Sequence, residues 1–263
     1  MIRRDDGDDW LLIPQVEHAR LAGKVAAVWG NGRFDRLPAP ERLVPAIAHH
    51  DDGWRSWPQA PEIDPQSGRP RNFNEMPMSL ATEIWKTSVA LCHSGPHFES
   101  ASPLGGLWVS KHFCQLAEYA LEGRSDNSDE CDYASRFCHE QRPLQEAWTK
   151  KAADDWPAEE LDHLIEVGYR HVQFFDRISL WLCCEERTEP YTIDCPANHS
   201  VCFTPVEPNC VIVEPFPLSV DSLELSVPAK RIPARVYADD RELAGELTGR
   251  RVEQISWTLV PSA

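Results

Sequence analysis

Five ionisable side chains, His18, His50, Asp51, His112 and Asp176, stand where apolar residues recur at helical spacing. His18 opens a stripe that continues through Leu21, Ala22, Val25, Ala26 and Trp29. Leu43 and Ile47 lead to the adjacent pair His50-Asp51, and His112 shares a face with Leu116 and Tyr119. Leu161, Ile165, Gly168, Val172 and Phe175 run into Asp176. Such positions face the protein interior. There an imidazole or carboxylate without a partner costs on the order of several kcal/mol. A shared divalent ion would satisfy all five, and neutral imidazole with carboxylate suits Zn, Mn or Fe, as one ion or two.

Other residues have the right chemistry to act beside such a centre. Asp52 or Glu17 would orient or deprotonate water, and Lys111 would neutralise negative charge on a reacting substrate. Arg69 and Arg71 would neutralise an anionic substrate, with Trp54 as a wall beside it. Each residue also has a plainer reading. A histidine on an apolar face is more often hydrogen-bonded core than a ligand. Asp176 pairs equally well with Arg170 or Arg177, and Asp51 can close a turn with Gly53. His49 and Asp52 read as partly solvated neighbours of the ligands. His93 and His97, in the loop after the third helix, read as loop residues or as reaching toward a second ion. Lys111 and the arginines fit a solvated surface, and Trp54 with Trp57 fits simple packing.

The elements that must position these groups fall into two regimes. Helices are predicted near 14–29, 40–51, 79–92, 106–122, 130–151 and 158–184, several with a proline in the first turn, where its missing N–H is harmless. Residues 52–78 hold Trp54, Trp57 and several prolines and read as an ordered, irregular loop. Beyond Glu186 come short β-prone runs at 201–203, 210–213, 223–227, 235–237 and 255–260, with a short helix over 240–248. The expected fold is therefore mainly α, a helical domain over 1–186. A small β-rich C-terminal extension over 187–263 packs on it, since it is too poor in aliphatics for its own core.

Composition excludes some functions. Forty-two acidic against 26 basic residues give a formal charge of −16, which repels polyanions and argues against nucleic acid as a partner. A bound metal would still admit a small phosphorylated substrate by inverting the sign locally. No run is apolar enough to span a bilayer and the N-terminus has no secretory pattern. The nine cysteines, an odd number without Cys-x-x-Cys, read as reduced thiols of a cytoplasmic protein. No sequence signal bears on oligomeric state.

The order His18, His50-Asp51, His112, Asp176 resembles the His-Asp (HD) superfamily of metal-dependent phosphohydrolases. Its members hold metal with a His on an early helix, a His-Asp doublet ending the next and an Asp on a late helix. The resemblance implies an HD-like helical bundle, with His18, His50, Asp51 and Asp176 as ligands and His112 as the extra histidine of some members. A closer resemblance is to a bacterial family of domains of unknown function. It is carried by Gln15-Val16-Glu17-His18, His50-Asp51-Asp52-Gly53-Trp54, Ile63-Asp64, Gly68-Arg69-Pro70, Asn72-Phe73, Val109-Ser110-Lys111-His112 and Phe175 to Leu180. That resemblance implies no activity. The leading expectation is metal-assisted hydrolysis of a small phosphate ester or anhydride. The alternatives are a di-iron oxygenase on the same ligands and a non-catalytic, metal-stabilised ligand-binding or sensing module.

Overall fold

The computed structural model describes residues 1–59, 61–98, 101–123, 128–184, 189–196, 199–207 and 209–262. The chain divides into two compact units, one of Met1–Arg36, Trp54–Met76 and Phe174–Ala263, the other of Leu37–Gly53 and Pro77–Gln173. The expected boundary at 186/187 falls outside the described residues.

The first unit is built on a seven-stranded mixed sheet in the order β1-β2-β6-β7-β5-β4-β3. The strands are β1 (Ile2–Asp6), β2 (Asp9–Ile13), β3 (Tyr191–Asp194), β4 (Ser200–Glu207), β5 (Cys210–Glu214), β6 (Leu223–Pro233) and β7 (Val252–Pro261). All pairs are antiparallel except β5 with β7. This overturns the mainly helical expectation: the fold is α/β, not an HD-like helical bundle with a β-rich C-terminal extension. The sheet is made by both ends of the chain, because Asp9–Leu12 of β2 pair with Lys230–Pro233 of β6. The hairpin β1–β2 turns at Gly7, whose φ of +67° is costly for any residue with a Cβ. Trp10 to Ile13 are all buried, since both faces of β2 are covered, and such a strand reads as a continuous apolar run rather than an alternating one.

On one face Met1, Trp10, Leu12, Ile232 and Tyr237 form a core with Leu243 and Leu247 of helix α7 (Asp240–Leu247). Asp239 caps that helix by accepting the Glu242 N–H at 2.8 Å. Helix α1 (Gln15–Ala27) follows β2 directly and packs on β6. Trp29, just beyond α1, meets Phe174 and Phe175 edge-on at 5.1 and 5.3 Å. The expected strand at 235–237 does not form: Tyr237 is buried in the core instead and donates its hydroxyl to Pro233 O at 3.0 Å.

The second unit is helical. It comprises α2 (Pro40–His49), α3 (Met78–Ser94), α4 (Pro103–Gly123), α5 (Ser128–Ala152) and residues 158–173 of α6 (Ala158–Cys184). Trp85 of α3 stacks on Phe113 of α4 at 5.2 Å and meets Phe137 of α5 edge-on at 5.5 Å, so three helices share one aromatic layer. Gly168 lets α6 reach the Trp108 indole, which donates to Leu164 O at 3.1 Å. No helix among the described residues is long and apolar enough to cross a membrane. All nine cysteines are free thiols.

Candidate metal centre

All five expected ligands are buried, none more than 7% exposed. In the sheet unit, His18 lies one turn into α1 and Asp176 on the portion of α6 that belongs there. The His18 Nδ1 hydrogen-bonds the Gln15 carbonyl, an acceptor only, so Nδ1 carries the proton. In the neutral ring Nε2 then presents its lone pair, 3.0 Å from Asp176 Oδ1. Two lone-pair donors this close repel unless a cation, a proton or a metal ion, lies between them. Two ligand atoms each about 2.1 Å from one ion and at right angles are about 3.0 Å apart, the separation found here. Donation of the other ring N–H to a backbone carbonyl is the usual support of a metal-bound histidine. The carboxamide oxygen of Gln15 is buried nearby in sequence without a hydrogen-bond partner among the described residues.

The helical unit repeats the pattern. His50, at the end of α2, donates Nδ1–H to Ile47 O at 2.8 Å, which leaves Nε2 as its lone-pair nitrogen. Asp51 Oδ2 lies 4.0 Å from that nitrogen, and the His112 ring stands edge-on to His50 with centroids 5.5 Å apart. Ligand atoms of Asp51 and of His112 each come within 4.8 Å of one on His50. Buried His and Asp groups of this kind could hold a metal ion.

What fixes the doublet is helix α3. Cys92 donates its thiol to His49 O at 3.3 Å, and one turn earlier Ser88 Oγ accepts the Gly53 N–H at 2.9 Å. Gly53 sits so close that a Cβ there would fall 2.1 Å from Ile84 O. The end of α2 and the turn after it are thus pinned on both sides of His50-Asp51. Nothing in the sequence singled out Ser88 or Cys92, because only packing makes them clamps.

Asp52 was expected to be partly solvated, yet it is buried. His49 Nδ1 lies 2.9 Å and His97 Nε2 3.5 Å from its Oδ2. These three could also hold an ion. However, the two rings stack at 3.7 Å and 18°, whereas a metal lies in the plane of each imidazole it binds. Nearly parallel rings share no such point, so this geometry suits two imidazoles gathered around a carboxylate.

The other expected residues are placed as follows. Glu17 is half-buried on α1. The Lys111 ammonium lies 4.9 Å from the Tyr169 ring centroid. Trp54 is buried edge-on to Trp57 at 5.8 Å. Arg69 is exposed, while Arg71 approaches the Glu62 carboxylate at 3.8 Å and donates to Ile63 O at 3.3 Å, across the Ile63–Pro70 bridge. His93 stacks on Trp148 at 4.9 Å, and burial lowers its pKa.

A family described as Protein of unknown function (DUF3891) matches residues 1–234, and the chain belongs to it. No curated protein and no solved structure matches the chain. The family match carries no link to the HD superfamily.

Proposed function

We propose that this DUF3891 chain is a metal-dependent hydrolase of a small phosphate ester or anhydride. The observation that carries the metal is the buried approach of His18 Nε2 to Asp176 Oδ1 at 3.0 Å, with Nδ1 already committed to a carbonyl. The candidate ligands are His18 and Asp176 in the sheet unit, and His50, Asp51 and His112 in the helical unit. The hydrolytic chemistry rests on the ligand types, since buried imidazoles and carboxylates suit a divalent ion that activates water. A bound divalent ion supplies polarisation of a phosphoryl oxygen and a water acidic enough to lose a proton near neutral pH. Asp52 is the carboxylate we assign to moving that proton, because His49 and His97 already gather at one of its oxygens. Glu17 is the second candidate. Lys111, which shares the helical unit with His50, Asp51 and His112, is the residue we assign to supplying positive charge for the substrate.

Elemental analysis of the purified chain, followed by a screen of nucleotides and generic phosphoesters, tests this. Stoichiometric Zn, Mn or Fe, lost together with turnover in His18→Ala, Asp176→Asn and His50→Ala, is the expected result, and the ratio gives one ion or two. A chain that holds no metal and gains none on reconstitution sinks the proposal. Iron with a visible charge-transfer band would redirect it to oxygen chemistry, and bound metal without turnover to a binding module.

A further inference from the structure

The sheet unit holds a cavity of about 120 Å³ that the proposed metal chemistry does not use. It adjoins the core beneath α7, with which it shares Leu12 and Leu247. Strand register brings a cation into its wall. Lys230 of β6 pairs with Leu12 of β2 on one side and with Val252 of β7 on the other. Directly opposed residues project from the same face of a sheet, so the lysine stem lies between two aliphatic side chains. Pro14, Pro61 and Pro228 extend the wall, and a proline has no N–H to offer an anion. Among the described residues, Lys230 is the one charged side chain in the lining.

Lys230 is half-buried, and its Nζ donates to the carbonyl of Leu247, the last residue of α7, at 3.1 Å. That bond closes the C-terminus of the helix and uses one of three donors. The chain has 42 acidic residues, yet no carboxylate of the described residues pairs with this ammonium. Its neighbour Arg231, on the other face, meets both Asp6 and Glu253.

We propose that this cavity binds a small apolar carboxylate, with the hydrocarbon tail inside and the carboxylate on Lys230. One ammonium balances one negative charge, and a carboxylate accepts the donors that the Leu247 carbonyl leaves over. A phosphate group would instead set several charged oxygens against carbon with no donor, which is costly. The size of the space limits the tail. A cavity of about 150 Å³ admits benzene, so this one takes a tail of about four or five carbons. The ligand class is therefore short branched or cyclic carboxylic acids in their ionised form.

The test titrates the full chain with acetate, isobutyrate, isovalerate and the neutral isovaleramide, and follows the methyl NMR signals of Leu12, Leu247 and Val252. Saturable shifts at all three are expected, with a Kd for isovalerate of about 1 mM, well inside the ceiling for a ligand of its size. Affinity should rise about fourfold with each carbon added beyond acetate. Isovaleramide should bind about tenfold more weakly, having lost the charge. Lys230→Met keeps the stem and should bring isovalerate down to the affinity of the amide. Val252→Phe, at an exposed position on the rim, should block the tail and abolish the shifts at Leu12 and Leu247. Both variants leave His18 and Asp176 unaltered, which separates this site from a carboxylate bound at the metal centre. No saturation up to about 20 mM, equal affinity for acid and amide, or shifts that survive Val252→Phe would each overturn the proposal. The comparison of acid with amide uses the unaltered chain and decides the matter even if a variant fails to fold.

Discussion

Gly53→Ala should damage both the helical unit and the ligand pair that precedes it. The added Cβ would sit 2.1 Å from Ile84 O and 2.8 Å from Ser88 Oγ. Ordinary contact begins at about 3.4 Å, so the segment must retreat from α3 by more than about 1 Å. Ile84 O belongs to a helix backbone and cannot turn aside. Overpacking of this kind costs about 1–3 kcal/mol, and breaking the Gly53 N–H bond to Ser88 adds about 1 kcal/mol. The lower chain entropy of alanine returns about 0.4–1 kcal/mol, leaving a net loss of about 2–3 kcal/mol. Because His50 and Asp51 lie within three residues of the retreating atom, metal affinity should fall about 10- to 100-fold, as when a supporting group is lost. Urea unfolding gives the first figure, and metal titration of the folded variant gives the second. Ser88→Ala, which removes only the acceptor, should cost about 1 kcal/mol. The double variant Gly53→Ala, Ser88→Ala should remain destabilised, since the Ile84 carbonyl is still in the way. Wild-type stability in Gly53→Ala would refute the close packing of this turn on α3. Weakened stability with unchanged metal affinity would refute its role in placing the ligands.

Gly168→Ala separates helix propensity from packing: propensity alone promises a gain of about 1 kcal/mol in mid-helix. The Cβ would lie 2.2 Å from the Nε1 of Trp108, so a net loss of about 2 kcal/mol is expected by urea unfolding, and a gain would contradict the contact. His171 yields a pH dependence, since burial lowers its pKa to about 4 from 6.5. Above pH 6.5 both states are neutral. Below it the unfolded chain takes up the proton first, so stability falls until the folded pKa is reached, by about 2 kcal/mol at pH 5. His171→Gln should remove that part of the loss between pH 7 and pH 5, and an unchanged slope would exclude burial of a neutral His171.

The helices were legible because their hydrogen bonds and hydrophobic stripes are local. Predicted spans such as 158–184 and 40–51 meet α6 at Ala158–Cys184 and α2 at Pro40–His49. The same periodicity located the buried polar residues, since a His or Asp in register with an apolar stripe is carried inward by the helix. The hairpin at the N-terminus was missed although its Asp6-Gly7 turn is a recognisable signal. Trp10-Leu11-Leu12-Ile13 is a short apolar run without alternation, and periodicity alone does not identify such a run as a strand. Arg235–Tyr237 erred the other way: its β-prone residues supply a core side chain and not a ladder.

By itself, then, the sequence determined the helices, the burial of His18, His50, Asp51, His112 and Asp176, and the membership that their motifs share. Tertiary structure decided that both ends of the chain share one sheet, that His18 meets Asp176, and that α3 pins the doublet. The reason is range. A helix closes its hydrogen bonds four residues away and can be read from a short window. A β-ladder joining Leu12 to Lys230, or an imidazole on α1 meeting a carboxylate on α6, depends on residues brought together only after the chain has folded.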